Sequence, residues 1–146
     1  MASAAVEVVL MQTNAIVTII NHSAVDRKDA FLITVLGPVN WYAHQKQTVG
    51  EAGMRSADAV CVRVPRDAPK KSYLPEVDWR ALPVQKRADF WTIQKGDLIV
   101  CGEIEEPVQS TAQIKDAYGP DAAVVTGYAD NRRGSAVMQH WRIDGA

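Results

Sequence analysis

Apolar positions along this chain fall in short, alternating runs, without the three-and-four spacing of long amphipathic helices. In "AVCVRVP", Val60, Val62 and Val64 alternate with Cys61 and Arg63, which turns one face of a strand to a core and leaves the other at least partly wet. Comparable β-branched runs occur at Asn14 to Ile20, Phe31 to Leu36, Val39 to His44, Ala57 to Val64, Phe90 to Ile93, Leu98 to Ile104, Ala123 to Tyr128 and Val137 to Ile143. Gly, Pro, Asn and Asp separate them, so the pattern predicts a mainly-β domain. Gly37-Pro38 reads as a turn between two strands. Gln94 to Asp97 reads as a tight reversal joining Phe90–Ile93 to Leu98–Ile104, with Gly96 free to take positive φ. Asp130, Asn131 and Gly134 are turn formers that let Ala123–Tyr128 pair with Val137–Ile143.

One short helix is predicted. Ser110 followed by Gln113 has capping-box spacing, Ile114 and Tyr118 share a face, and Gly119-Pro120 stops the helix. Short strands with one small helix suit a small β-barrel or sandwich, since closing or doubling a sheet covers its faces and edges. The exception is Pro65 to Pro83, whose four prolines argue against a central strand or regular helix. It is expected to be an extended proline-rich loop. Tyr73, Leu74, Trp79 and Leu82 argue against free disorder, so the loop either packs on its own domain or docks on a partner.

With 146 residues and 47% apolar composition the chain is expected to form a single domain over 1–146, with residues 1–12 as an N-terminal arm. That arm, "MASAAVEVVLMQ", lacks a basic leader, contains Glu7 and is too short to span a bilayer, so a soluble cytosolic or particle-borne protein with no membrane contact is expected. Cys61 and Cys101 lie in strand-like runs and read as buried free thiols.

No enzyme constellation emerges. His22, His44 and His140 lack metal-ligand spacing, and no CxxC, HExxH, GxSxG or phosphate-binding glycine loop occurs. The reading is therefore a non-enzyme with no catalytic residues, metal or cofactor. Sixteen Lys and Arg against seventeen Asp and Glu give a net charge of −1, so any nucleic-acid contact must be local. Charge is segregated, however: Arg66 to Arg87 carries a local +3 and Asp97 to Asp121 a local −5. Opposite patches on one chain suit head-to-tail association.

The candidate interaction residues are Lys70, Lys71, Tyr73 and Trp79 in the proline-rich segment, and Arg132 and Arg133 at the last hairpin. The lysine pair also fits a solvated loop face. The arginine pair fits in-chain salt bridges, a neighbouring subunit or DNA phosphate, because the guanidinium fork holds carboxylate or phosphate through two hydrogen bonds. Trp141 reads as a core or interface anchor, with His140 on the opposite face.

Taken in order, "VNWYAHQKQTVGEAGMRSADAVCVRVP", "WTIQKGDLIVCGEI" and "DNRRGSAVMQHWRIDGA" resemble a family of small proteins encoded among the head and head–tail genes of tailed bacteriophages and prophages, the minor capsid or head-completion proteins. The resemblance runs from about Ile16 to the C-terminus. It implies a virion structural protein of the head-closure or stopper type. Such a protein forms a homo-oligomeric ring, with portal or adaptor proteins on one side, tail-terminator or tail-tube proteins on the other, and non-specific contact with genomic DNA in the channel. Localisation to the head–tail junction, after synthesis in the host cytoplasm, follows from the same resemblance. The rival expectations are a small-barrel nucleic-acid-binding module, a neighbouring adaptor or tail-terminator component, and a small hydrolase with an unrecognised site.

Overall fold

Backbone pairing, more than any single segment, defines the architecture of this chain. A computed structural model describes residues 13–25, 27–50, 53–104, 106–135 and 138–146, with the backbone alone at 25, 43–50, 53–58 and 120. The expected arm at 1–12 lies outside them. Among the described residues the main strands are β1 (Ala15–Val25), β2 (Lys28–Gly50), β3 (Gly53–Pro65), β6 (Leu98–Cys101), β7 (Ala122–Asn131) and β8 (His140–Gly145). They pair antiparallel in the order β1-β2-β3-β8-β7-β6, and β6 returns to β1, so the sheet closes on itself as a barrel. Closure leaves no edge along the paired portions, which is how a small sheet avoids offering a template to other chains.

Gly37-Pro38 is not a turn between two strands: β2 runs through it unbroken. Ala15 faces Val39 and Val17 faces Leu36, so Ile16 alone opposes Gly37 and Pro38 in a β-bulge. Pro38 has no N–H to give a ladder, and a bulge is where a strand can accept that loss. Gly37 is needed because a Cβ there would meet Ile16 Cγ1 at 3.0 Å. At this bend β2 changes partner, pairing with β1 through Val39 and with β3 from Asn40 onward.

Alternation then sorts the side chains. Val17 and Ile19 of β1, Val60, Val62 and Val64 of β3, and Trp141 and Ile143 of β8 fill the interior. Ile20, Leu98 and Val100 point outward, where Ile104, Val108 and Ile114 cover them. Ile114 belongs to the predicted helix, α2 (Thr111–Tyr118). Ser110 Oγ accepts from Gln113 N at 3.1 Å as its spacing implies, while Gln113 Oε1 reaches past the cap to Gln109 N at 2.8 Å. Eight residues make too short a helix to persist alone, so burial of Ile114 against the sheet holds it.

Pro65 to Pro83 is not an extended loop. It contains β4 (Ser72–Tyr73) and α1 (Glu76–Ala81), with a 3-10 turn at Val84–Asp89 beyond it. Pro75 and Pro83 occupy the N-cap positions of these two turns, where the missing N–H is not needed; the prolines start helices rather than forbid them. Of the two expectations for this segment, packing on its own domain describes what is seen. Trp79 is 1% exposed and its Nε1 donates to Arg87 O at 3.2 Å. The Arg87 guanidinium lies 5.4 Å from the Trp79 ring and donates to Ser23 Oγ of β1 at 2.7 Å.

The reversal at Gln94–Asp97 exists, with Gly96 at φ 92, but its flanks do not form a hairpin. Instead β5 (Phe90–Trp91) pairs in parallel with β4. The Asn21 side chain takes the place of a strand partner further on, donating to Thr92 O at 2.7 Å and accepting from Thr92 N at 3.3 Å. Asn21 Nδ2 also donates to the buried Asp97 at 3.0 Å; Gln94 Nε2 does so at 2.8 Å, and His22 N reaches the other oxygen at 3.2 Å. Arg80 of α1 joins through Gln94 Oε1 at 2.8 Å. A buried polar network thus ties α1 and the reversal to β1.

Two outcomes are expected from this packing. Trp79→Ala removes a fully buried indole and should lower unfolding free energy by about 3–5 kcal/mol in urea titrations. Burial pushes the Asp97 carboxyl up, against the downward pull of Asn21, Gln94 and His22. The folded state therefore holds that proton more tightly than the unfolded chain, and the associated stability, full below the unfolded value, is lost as pH rises through the folded one. Wild type should accordingly lose stability relative to Asp97→Asn on going from about pH 4 to pH 7; a relative gain over that range would contradict the assignment.

Candidate functional site

The β7–β8 hairpin ends at the Asn131–His140 pair, and Arg132 immediately follows. Its guanidinium is held by Asp130 two residues back: Nε donates to Oδ1 at 2.8 Å and Nη2 to Oδ2 at 2.7 Å, while Arg132 N donates to Oδ1 at 3.2 Å. This fork is the two-bond geometry that suits arginine to carboxylates. The hydrogen bonds from Arg132 hold the Asp130 carboxyl below the usual carboxylate range, and Asp130 in turn raises the Arg132 guanidinium.

That guanidinium lies over an aromatic cluster, its Cζ 4.8 Å from the Trp141 ring centre and 5.1 Å from that of Tyr73. Tyr73 on β4, Trp91 on β5 and Trp141 on β8 form a triangle with centroid separations of 5.0 to 5.1 Å and edge-on or tilted planes. Burial pushes the Tyr73 phenol up to about 12, with Tyr128 and Asp130 adding to the shift and Arg132 opposing it. It stays protonated at neutral pH.

Beside this cluster lies a cleft of about 450 Å³ lined by Arg66, Asp130, Arg132, Arg133 and Gln139. Pairing of β3 with β8 puts Arg66 next to Gln139: Arg66 N donates to Gln139 O at 3.0 Å and Arg66 Nη1 to Gln139 Oε1 at 3.1 Å. Gln139 Nε2 donates to Gly134 O at 3.1 Å, which braces the hairpin tip where Gly134 takes φ 98. Arg66 pairs with Asp67 at 3.4 Å and Arg132 with Asp130, while Arg133 makes no hydrogen bond or ion pair among the described residues and leaves the cleft cationic. Chemically it can receive a carboxylate or a phosphate.

The six candidate residues therefore separate. Tyr73 and Arg132 come together, with Arg133 on the adjoining wall. Lys70 is exposed. Lys71 is turned inward, its Nζ donating to Ile33 O at 3.1 Å and Thr34 Oγ1 at 3.4 Å, and burial lowers its pKa. Trp79 is a core residue of the segment around α1, not a partner-facing one. Arg66, Asp130 and Gln139 were not singled out by the sequence. Asp130 had a signal, its spacing of two from Arg132, whereas Arg66 and Gln139 meet only through a strand pairing across 73 positions.

A second cleft, about 270 Å³, lies near the Asp97 network and is bordered by His22, Asp29, Arg80 and Lys95. His22 Nε2 and Asp29 Oδ1 are 2.8 Å apart there. Among the described residues no group of three or more His, Cys, Asp or Glu could hold a metal, and no helix is long and apolar enough to cross a membrane. Cys61 and Cys101 are free, the first buried and the second half-buried.

No curated protein and no solved structure matches the chain. A family model does, over residues 12–146, and its description is a family of unknown function (DUF6751). The span covers nearly the whole sequence, and the chain belongs to that family.

Proposed function

We propose that this protein is a structural component of the tailed-phage head–tail junction, a ring-forming head-closure subunit that links portal or adaptor to the tail within the virion. The observation that carries the reading is the β2–β3 ribbon. β2 leaves β1 at Val39 and β3 meets β8 only from Val60, yet β2 and β3 pair with each other out to Gly50 and Gly53. From His44–Ala59 outward, seven pairs have no further strand on either edge among the described residues. At roughly 3.3 Å per residue this is an arm of about 20 Å beyond the closed sheet. A closed body with a two-stranded arm is a part list for ring assembly: the body resists deformation, and the arm reaches a neighbour and offers it free backbone donors and acceptors. The resemblance of the Trp41–Gly50 and Lys95–Gly102 segments to head-completion proteins supports the same conclusion.

The cationic cleft favours a second reading, a small-barrel module that binds nucleic acid through its arginines. A strong, salt-sensitive gel shift that disappears in Arg66→Ala/Arg133→Ala would support it over the ring.

Replacing 45–58 by a two-residue Asn-Gly turn tests the first reading, because that turn closes a hairpin without disturbing the pairs nearer the body. The shortened chain should fold, sediment as a monomer and fail to enter particles, leaving heads that lose their DNA. Incorporation at the wild-type level would contradict the proposal.

A further inference from the structure

The closed sheet places two dissimilar surfaces at opposite ends of β7. At the C-terminal end the hairpin tip projects Arg133 and Met138, the latter 55% exposed. At the N-terminal end Ala122 pairs with Val100, one residue before Cys101. Here a shallow cleft of about 650 Å³ is formed by the start of β1, the bulge and the end of β6, with Ile16, Pro38 and Cys101 among its walls and Glu103 on its rim. Ile16 is 48% exposed. Asp121 lies close enough to Cys101 for its charge, after burial, to raise the thiol's pKa, so a second carboxylate stands at this end. The ten residues of β7 separate the surfaces by about 30 Å.

The two are complementary in charge, and each exposes an apolar side chain. One is a projecting tip with a cation and a flexible apolar side chain; the other is a recess with apolar walls and an acidic rim. Resting on the proposed ring assembly, we infer that the recess at Ile16, Pro38 and Cys101 receives the β7–β8 tip of a second copy of this chain, with Met138 against Ile16 and Pro38 and Arg133 facing Glu103 and Asp121. The contact is not self-complementary, because tip and recess lie at opposite ends of one strand. It is therefore heterologous, and repeating it gives a closed ring where the rotation closes. The rim charges select orientation and speed encounter, and the apolar contact holds the pair together. The arm of the β2–β3 ribbon reaches the neighbouring copy as a separate contact, and the ring needs both.

Cys101 supplies the test. In Met138→Cys, oxidation should link the introduced thiol to Cys101 of another copy and give a ladder of multimers on a non-reducing gel. The same bond within one chain is out of reach, since a disulfide needs Cα atoms closer than about 7 Å. Cys101→Ser in the same background should abolish the ladder. Adding Arg133→Glu should weaken it on the order of tenfold, and mixing that chain with Glu103→Arg should restore linkage. Rings that assemble from Met138→Cys without any linkage to Cys101 would overturn this contact and leave the ring proposal standing. A wild-type chain that stays monomeric alone and in particles would overturn both.

Discussion

The packing of Trp91 against Tyr73 and Trp141 is the interaction on which the rest of the structure depends. Each ring comes from a different part of the chain: β4, β5 and a barrel strand. Trp91 is fully buried among the barrel's apolar residues, so the segment between β3 and β6 is inserted into the barrel's core. The indole N–H groups of Trp91 and Trp141 find no acceptor among the described residues, so apolar burial and ring geometry hold the cluster together. Arg132 lies over two of the three rings and is locked by Asp130, which couples the hairpin tip to the core beneath. Fixing the triangle thus fixes the position of the tip.

A division of labour follows from the closed pairing order. The interior and the outward patch beneath α2 supply stability, and the buried side chains of Asn21, Gln94 and Asp97 are bonded to one another in a polar network. Three features project from that body: the β2–β3 ribbon, the cationic tip and the recess near Cys101. Of the basic residues between Arg66 and Arg87, Lys71, Arg80 and Arg87 are occupied by in-chain bonds, and Asp97 is buried out of the acidic stretch. Lys70 and Lys86 stay exposed, so the charge asymmetry of the sequence survives in reduced form.

Much of the fold was legible where neighbours in sequence are neighbours in space. The alternation at Val60, Val62 and Val64, the Ser110 cap, the Gly119 stop and the turn residue Gly134 all act within a few residues, whereas Asp130 and Asn131, expected in the turn, pair with Trp141 and His140 as the last residues of β7. What was hidden depends on partners far along the chain. Gly37-Pro38 becomes a bulge only because Ile16 faces it. A two-residue parallel pair such as β4–β5 has no periodicity to detect, and Pro75 looks like a breaker until the helix it caps is known. In the site, the Arg132–Asp130 fork could be read from a spacing of two. The approach of Arg66 to Gln139 could not, because it is created by the pairing of β3 with β8.

The central claim is that this closed strand framework is a building block whose projecting parts join copies into a ring at the collar between capsid and tail. Electron microscopy of assembled particles carrying a labelled form of this chain tests it most directly. The account expects label as a closed ring of copies at the collar. Label elsewhere in the particle, single copies at the collar, or particles without the chain would contradict it.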